Sequence, residues 1–378
     1  MRKINILYIM RGGDLYGDNR SMLQTILSIR DYVNPFVCMV NDGLVGEELR
    51  KNAIPYKIIA NTMAPRSYDI GSLNHLLHFP FYVLKSIITY FQLLKVASHF
   101  KPDIVSSNLS FIYAGVYLSK TIKVPHVWHL REYVDKDHNK QLPRKRFFET
   151  NIKKSHCIAV SKGVFEYRNL SYDKDAYIYN GVFSTSDIPC YDSLKEDYFL
   201  YLGRITEAKG VTEMIRGFMK FCNQNKNINL VIAGEGTPKY LAKIKAILCE
   251  GNALQRVQFL PFHKDIRPLL TKAKALIVPS FFEAYGRITP EALLCGCFVI
   301  GRNTGGTKEI LENVNAGILF NNEEELTQSM MRVAQMSNDE LCNINKSAMD
   351  KAAKYYTCEE NASYMVKFYQ KVLNSQKL

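Results

Sequence analysis

Short apolar runs alternate with helical patterns from end to end of the 378-residue chain. In the first half the runs 4–10, 36–40, 56–59, 104–107, 126–129, 157–160 and 177–179 predict strands. They are continuously apolar rather than alternating, the pattern of parallel strands covered on both faces. Helical patterns such as 21–30 and 112–121 lie between them. A second series starts afresh at 198–202 and continues through 230–233, 257–260, 275–279, 298–300 and 317–320. Two such series predict an α/β protein of two Rossmann-like, doubly wound domains. The stretch 183–195, FSTSDIPCYDSLK, lacks periodicity and marks the seam, giving domains 1–185 and 186–356. An amphipathic helix over 357–378 could pack on its own domain or cross back to the first.

One long apolar segment, 78–100, carries Lys85, Thr89, Gln92 and His99 at helical spacing as a narrow polar stripe. Two lysines inside it oppose a spanning role, because each costs about 3 kcal/mol at the bilayer centre. It reads as a crossover helix packed on a sheet, with an interfacial, membrane-touching helix as the alternative. The N-terminal run 4–10 is interrupted by Asn5 and ends in Arg-Gly-Gly, so it reads as a buried first strand rather than a leader.

Composition sharpens this picture in three places. At 47% hydrophobic and 22% charged residues, disordered and fibrous classes are excluded. The nine cysteines are odd in number and scattered, and Cys295-Gly-Cys297 is too close and isolated to frame a zinc site. They read as reduced thiols of a cytosolic protein. The net charge of +13 is uneven: residues 1–180 hold 25 basic and 15 acidic groups, the remainder 24 and 21. An anionic partner is therefore expected on the first half. The cluster Lys136, Lys140, Arg144, Lys145, Arg146, Lys153 and Lys154 suits an anionic membrane surface, or is simply a solvated helix face. It lacks interleaved aromatic platforms, so nucleic acid is not the expected partner.

The chemistry-bearing residues follow predicted strands. After the run 275–279 come Glu283, Gly286 and Arg287, then Thr289 and Pro290 in the N-cap and N1 positions of a helix whose first turn holds Glu291. Glu283 and Glu291 would flank one cleft, although Glu291 also has a plain reading as a carboxylate favoured by the helix dipole. Asn303-Thr304-Gly305-Gly306-Thr307 precedes another helix and could approach an anion. Arg204 and Lys209 follow the first strand of the second series, and Gly234 and Glu235 follow the next. Asp135-Lys-Asp137 and Asp173-Lys-Asp175 imitate a metal-binding DxD but read as solvated turn residues.

In this order the motifs LGR–KG, AGEG, Glu283-x7-Glu291 and GGTKE resemble the family 4 retaining glycosyltransferases, of the bacterial polysaccharide-assembly type. The resemblance extends to Gly12-Gly13 with YGDNRSML, PHVWHLRE (125–132), AVSKG (159–163) and YNGV (179–182). It implies the GT-B fold, two Rossmann-like domains facing a central cleft, with the acceptor on the first and a nucleotide-sugar on the second. By resemblance, Glu291 would hold the nucleotide ribose and Glu283 the donor sugar. Arg204 and Lys209 would neutralise the departing diphosphate. Backbone at Gly12, Gly13, Gly234, Glu235, Gly286 and Arg287 would line the donor pocket. His129 would be the first-domain active-site histidine, with His126 as the alternative, and Arg131 and Glu132 match an RE pair on the acceptor side. Ala284-Tyr285 and Pro290 depart from the usual pattern and leave the sugar open.

The function so implied is transfer of a hexose from a nucleotide-sugar, UDP-linked by family weight, to a glycan acceptor that is lipid-linked. The setting would be assembly of capsule, O-antigen or exopolysaccharide. No metal and no cofactor are expected. The enzyme would be cytoplasmic, with peripheral contact to the inner membrane face. The alternatives are a UDP-sugar epimerase of the same fold and a catalytically inactive nucleotide-binding protein.

Overall fold

The computed structural model describes residues 2–15, 17–64, 79–138, 142 and 144–375. The chain divides into two compact units, Met1–Gly181 with Cys358–Leu378, and Val182–Thr357.

The first unit is built on seven strands: β1 (Ile4–Gly12), β2 (Val33–Asn41), β3 (Tyr56–Ile58), β4 (Ile104–Asn108), β5 (His126–Leu130), β6 (His156–Ala159) and β7 (Ala176–Tyr177). They pair in parallel in the order β3-β2-β1-β4-β5-β6-β7. The crossovers include α1 (Gly17–Ile29), α2 (Gly43–Lys51), α3 (Phe79–Phe100), α4 (Ala114–Ile122), α5 (Asp135–His138), α6 (Lys145–Ile152) and α7 (Lys162–Tyr167). The continuous apolar runs are explained by burial on both faces. In β1, Ile6, Tyr8 and Met10 meet Met22, Ile26 and Ile29 of α1, while Leu7 and Ile9 share the opposite core with Leu93 and Ala97 of α3 and Leu118 of α4.

The helix α3 packs on the sheet as a crossover, and part of its polar stripe faces inward. Thr89 is fully buried and its hydroxyl accepts from Asn61 N at 2.9 Å. Gln92 Oε1 likewise accepts from Ala60 N at 3.1 Å. The chain just after β3 leaves backbone donors that the sheet does not pair, and these two side chains satisfy them. Only Lys85 and His99 of the predicted stripe are exposed. Among the described residues no helix is long and apolar enough to cross a membrane.

The second unit has six strands: β8 (Glu196–Leu202), β9 (Asn229–Ala233), β10 (Val257–Leu260), β11 (Ala273–Val278), β12 (Phe298–Arg302) and β13 (Ile318–Phe320). They run parallel in the order β10-β9-β8-β11-β12-β13. Its helices are α8 (Val211–Gln224), α9 (Pro238–Glu250), α10 (Arg267–Lys272), α11 (Ile288–Leu294), α12 (Gly305–Val314), α13 (Glu323–Gln335) and α14 (Asn338–Tyr356). Side-chain caps set several starts: Thr237 accepts from Tyr240 N ahead of Pro238, Asn322 from Glu325 N, and Ser337 from Glu340 N. The core joins Phe199 and Tyr201 of β8 to Met214, Phe218 and Phe221 of α8 and Leu326 and Met330 of α13. The aperiodic stretch 183–195 packs along this unit: Lys195 Nζ donates to the carbonyls of Thr271 and Gly296, and Asp192 pairs with Lys272 at 2.7 Å. Val182 already belongs here, its N–H donating to Tyr356 O at 2.9 Å.

The chain returns to the first unit through α15 (Cys358–Asn374), which packs on α1. Met365, Phe368, Tyr369 and Val372 enter the β1–α1 core. Asn361 Oδ1 accepts from Thr25 Oγ1 at 3.0 Å and its Nδ2 donates to Tyr179 O at 2.7 Å. An Asn361→Ala variant removes the acceptor of the buried Thr25 hydroxyl and a donor to Tyr179 O. It should lose about 1–3 kcal/mol of stability in urea unfolding.

Candidate functional site

In each sheet the chain order reverses once, between β1 and β4 and between β8 and β11. Ligands of open parallel sheets bind outside the carboxyl ends at such points. The candidate residues gather there, unit by unit.

In the second unit, the loop after β8 carries Gly203, Arg204 and Lys209, and the loop after β11 carries Glu283 to Arg287. The two loops meet where Lys209 Nζ donates to Glu283 Oε1 at 2.5 Å. Gly210 makes the meeting possible: its φ is +68°, and a Cβ there would lie 2.1 Å from Pro279 O. Arg204 is exposed and forms no ion pair among the described residues. The loop with Gly234 and Glu235 zips onto the β8 loop, Gly203 N donating to Ala233 O and Ile205 N to Glu235 O. The Glu235 side chain is exposed.

The helix α11 starts one residue before the expected position of its cap. Arg287 occupies the cap, and Thr289 instead donates its N–H to Gly286 O and packs its hydroxyl 3.5 Å from Thr307 Oγ1. Pro290 still falls in the first turn, where its missing N–H costs no hydrogen bond. Glu291 is buried in that turn and accepts from Arg287 Nη2 at 3.1 Å. Tyr285, one of the departures from the family pattern, is buried with its ring against Tyr356 of α14.

The Gly305-Gly306 turn packs directly on the Glu283 loop. Gly306 N donates to Glu283 O at 2.8 Å, and a Cβ at Gly305, whose φ is +52°, would lie 2.3 Å from that same oxygen. The turn therefore holds the Glu283 loop in place. Arg302 assists, and sequence reading did not single it out. Its guanidinium bonds Pro279 O and Asn321 O, pairs with Glu213 at 2.5 Å and stacks over Phe281 and Phe320. The only signal was an arginine closing a buried apolar strand.

In the first unit, Gly12 ends β1 and Gly13 follows it. Their polar groups are engaged: Gly13 N donates to Asp42 O, and Gly12 O accepts from Asn19 Nδ2. His126 sits in the core between Ser155 and Ser107, one at each ring nitrogen, and burial drives its pKa down to about 3. His129 points to the opposite face, with Nε2 3.2 Å from Tyr369 Oη. Burial first, then the Arg131 charge, hold it well below the usual imidazole range. A small pocket lined by Thr25, His129, Arg131, Asn180, Asn361 and Met365 opens beside it.

Arg131 is fixed by the side-chain oxygens of Asn108 and Asn180. Glu132 is buried; Oε1 accepts from Ser110 N at 2.7 Å, while Oε2 has no hydrogen-bond partner among the described residues. Burial pushes this carboxyl up to about 7, against the pull of the Ser110 hydrogen bonds and helped by Asp137 and Asp18. Asp18 is itself raised, chiefly by burial.

The two DxD look-alikes have turn roles. Asp137 accepts from Tyr133 N and Val134 N, and Asp135 from Lys136 N. Asp175 departs from the solvated reading: it is buried and ties Cys157 N to Ser171 N. No group of three or more His, Cys, Asp or Glu able to hold a metal occurs among the described residues. Lys140 of the basic cluster and Tyr16 of the YGDNRSML motif lie outside the described residues.

This geometry can be set beside known proteins. Residues 192–355 match the family Glycosyl transferases group 1. The group 1 region spans the β8 and β11 loops and both glutamates. An uncharacterized glycosyltransferase, YqgM, of Bacillus subtilis is 29% identical over 116 residues, 30% of this chain and 32% of that protein. Alpha-maltose-1-phosphate synthase of Mycolicibacterium smegmatis is 24% identical over 230 residues, 55% of this chain and 59% of that protein. The chain thus spans about a third of the length of the first and under two thirds of the second. Anabaena Alr3699/HepE, solved in complex with UDP, superposes with a TM-score of 0.77 at 18% identity, covering 97% of this chain and 100% of that one. The lipopolysaccharide outer core galactosyltransferase WaaB superposes at 0.70 and 16% identity, covering 99% and 100%. The fold is therefore the GT-B type, two Rossmann-like α/β domains, as the motif order implies.

The Glu132 carboxyl yields a stability test. Its folded value of about 7 lies above the ordinary 4.5. The folded state keeps a proton there that the unfolded chain releases, so stability falls as pH rises through that window. A Glu132→Gln variant, which keeps the acceptor for Ser110 N, should gain melting temperature relative to the parent between those two pH values. Parallel melting curves across the window would rule the shift out.

Proposed function

We propose that the chain is a retaining glycosyltransferase that moves a sugar from a UDP-sugar to a hydroxyl of a lipid-linked glycan in cell-surface polysaccharide assembly. The observation that carries the reading is the meeting of Lys209 and Glu283 at the β8/β11 reversal, inside the region matching the group 1 family. A cation and a carboxylate side by side suit a sugar diphosphate, the ammonium facing phosphate oxygens and the carboxylate accepting from sugar hydroxyls. UDP as the nucleotide draws support from the Anabaena structures with UDP and with UDP-glucose.

In this reading Glu291 accepts from the ribose hydroxyls, with Arg287 keeping the carboxylate in position. Arg204 and Lys209 stabilise the diphosphate as the bond from the anomeric carbon to phosphate oxygen breaks. The acceptor oxygen bonds to the same face of that carbon, and its proton passes to the departing phosphate. No protein nucleophile, resident metal or cofactor is assigned to this step. Backbone at Gly234, Glu235 and Gly286 lines the donor in the second unit, and Gly12, Gly13 and His129 are the functional residues of the first. Arg131 and Glu132 serve the acceptor. The enzyme would work in the cytoplasm at the membrane face.

Two variants test the assignment. Glu291→Ala should weaken UDP binding at least tenfold in titration calorimetry. Arg204→Ala should lower turnover of the UDP-sugar at least tenfold, about 1.4 kcal/mol in the barrier. Parent-like values in both would remove these residues from the site.

A further inference from the structure

The helix α3 packs Leu93 and Ala97 on the sheet and presents a second apolar face away from it. Phe81, Leu84, Ile87, Ile88 and Phe91 are between 42% and 68% exposed. They recur at intervals of three and four, so they form one stripe about 15 Å long on a single side of the helix. The polar Thr89 and Gln92 are spent on the backbone at Ala60 and Asn61. A helix covering a sheet in water carries polar residues on its outer face instead.

Cations adjoin this stripe. Tyr90 of α3 meets Thr121 of α4 at 2.9 Å, and Arg144 bonds Tyr117 of α4 and interacts with Tyr82 of α3. Tyr117 stacks on Phe147 of α6, and Lys120 bonds Asn151. Along this α4–α6 surface Lys120, Lys123, Lys145, Arg146, Lys153 and Lys154 are exposed, with Glu149 the acidic residue of α6. The first unit carries 28 Lys and Arg against 17 Asp and Glu; the second carries 21 against 19.

We propose that α3 and the cationic rim of α4 and α6 form an in-plane docking surface for an anionic phospholipid bilayer. The apolar stripe enters the boundary between headgroups and acyl chains, and the rim faces the anionic headgroups. Lys85 and Lys95, exposed on α3, extend their stems along the apolar layer and leave the ammonium groups at the headgroup level. A second copy of the chain is a poorer occupant, because pairing two such faces would bring like charges together. Nucleic acid has no use for the exposed aliphatic side chains. The proposal deepens the transferase reading, on whose lipid-linked acceptor it rests, by naming the surface that meets the lipid.

Flotation of the full chain tests it, with vesicles of phosphatidylglycerol and phosphatidylcholine and vesicles of phosphatidylcholine alone. The parent protein should float with the anionic vesicles and detach as salt rises. Leu84→Glu with Ile88→Glu should cut partitioning at least tenfold, and so should Lys145→Glu with Arg146→Glu. All four positions are exposed, so thermal melts of both variants should match the parent. Absence of flotation by the parent, or equal flotation by parent and variants, would overturn the proposal. So would a concentration-dependent dimer in sedimentation that Leu84→Glu with Ile88→Glu disperses. A failure to bind UDP would instead strike the transferase reading and leave the vesicle result standing, so the two fail separately.

Discussion

A parallel sheet cannot return by a tight hairpin, so each connection in both units must cross a face of its sheet. That constraint covers both faces with helices or loops and leaves the carboxyl edge as the place where side chains can meet a ligand. The crossovers switch direction once per sheet, opening the edge between β1 and β4 and between β8 and β11. The candidate residues all lie on the strand ends and loops that rise from those edges or on the helix starts that follow them. Close backbone approach then sets the geometry. The Lys209–Glu283 pair exists because Gly210 and Gly305 let neighbouring chain segments come nearer than a side chain would allow.

The two edges differ in electrostatic character. In the second unit Arg204 is exposed and Lys209 is only half-buried, so the cations can meet an incoming anion without a large desolvation cost. In the first unit the polar groups are more enclosed: buried neutral His129, half-buried Arg131 held by Asn108 and Asn180, and buried Glu132 with one oxygen unpartnered among the described residues. Such groups hold their positions through the packing around them. That packing includes α15, whose Tyr369 lies against His129. The C-terminal helix thus shapes the surroundings of a β5 residue 240 positions earlier in the chain.

On α3, side-chain hydrogen bonding and apolar packing share the inner face. Two backbone donors after β3 engage Thr89 and Gln92 beside the buried Leu93 and Ala97, which leaves further apolar residues on the outer face. Leaving buried donors unsatisfied costs on the order of 1–3 kcal/mol each, comparable to burying one large apolar side chain.

Much of this was legible from sequence alone. The thirteen strands among the described residues appear where apolar runs predict them, because burial on both faces gives the inner parallel strands one signature. The order of the loop motifs carried the fold and the candidate residues of the second unit, since glycines and charged side chains at strand ends are local signals. What depends on partners distant in sequence was not legible. The contact of Gly305-Gly306 with the Glu283 backbone had no sequence signal, and Arg302 carried no motif at all. Asp175 read as solvated, and only the fold buries it against Cys157 N. The facing of α3 was undecidable for the same reason. Periodicity says which residues share a side, but which side meets the protein depends on unpaired groups supplied by other parts of the chain.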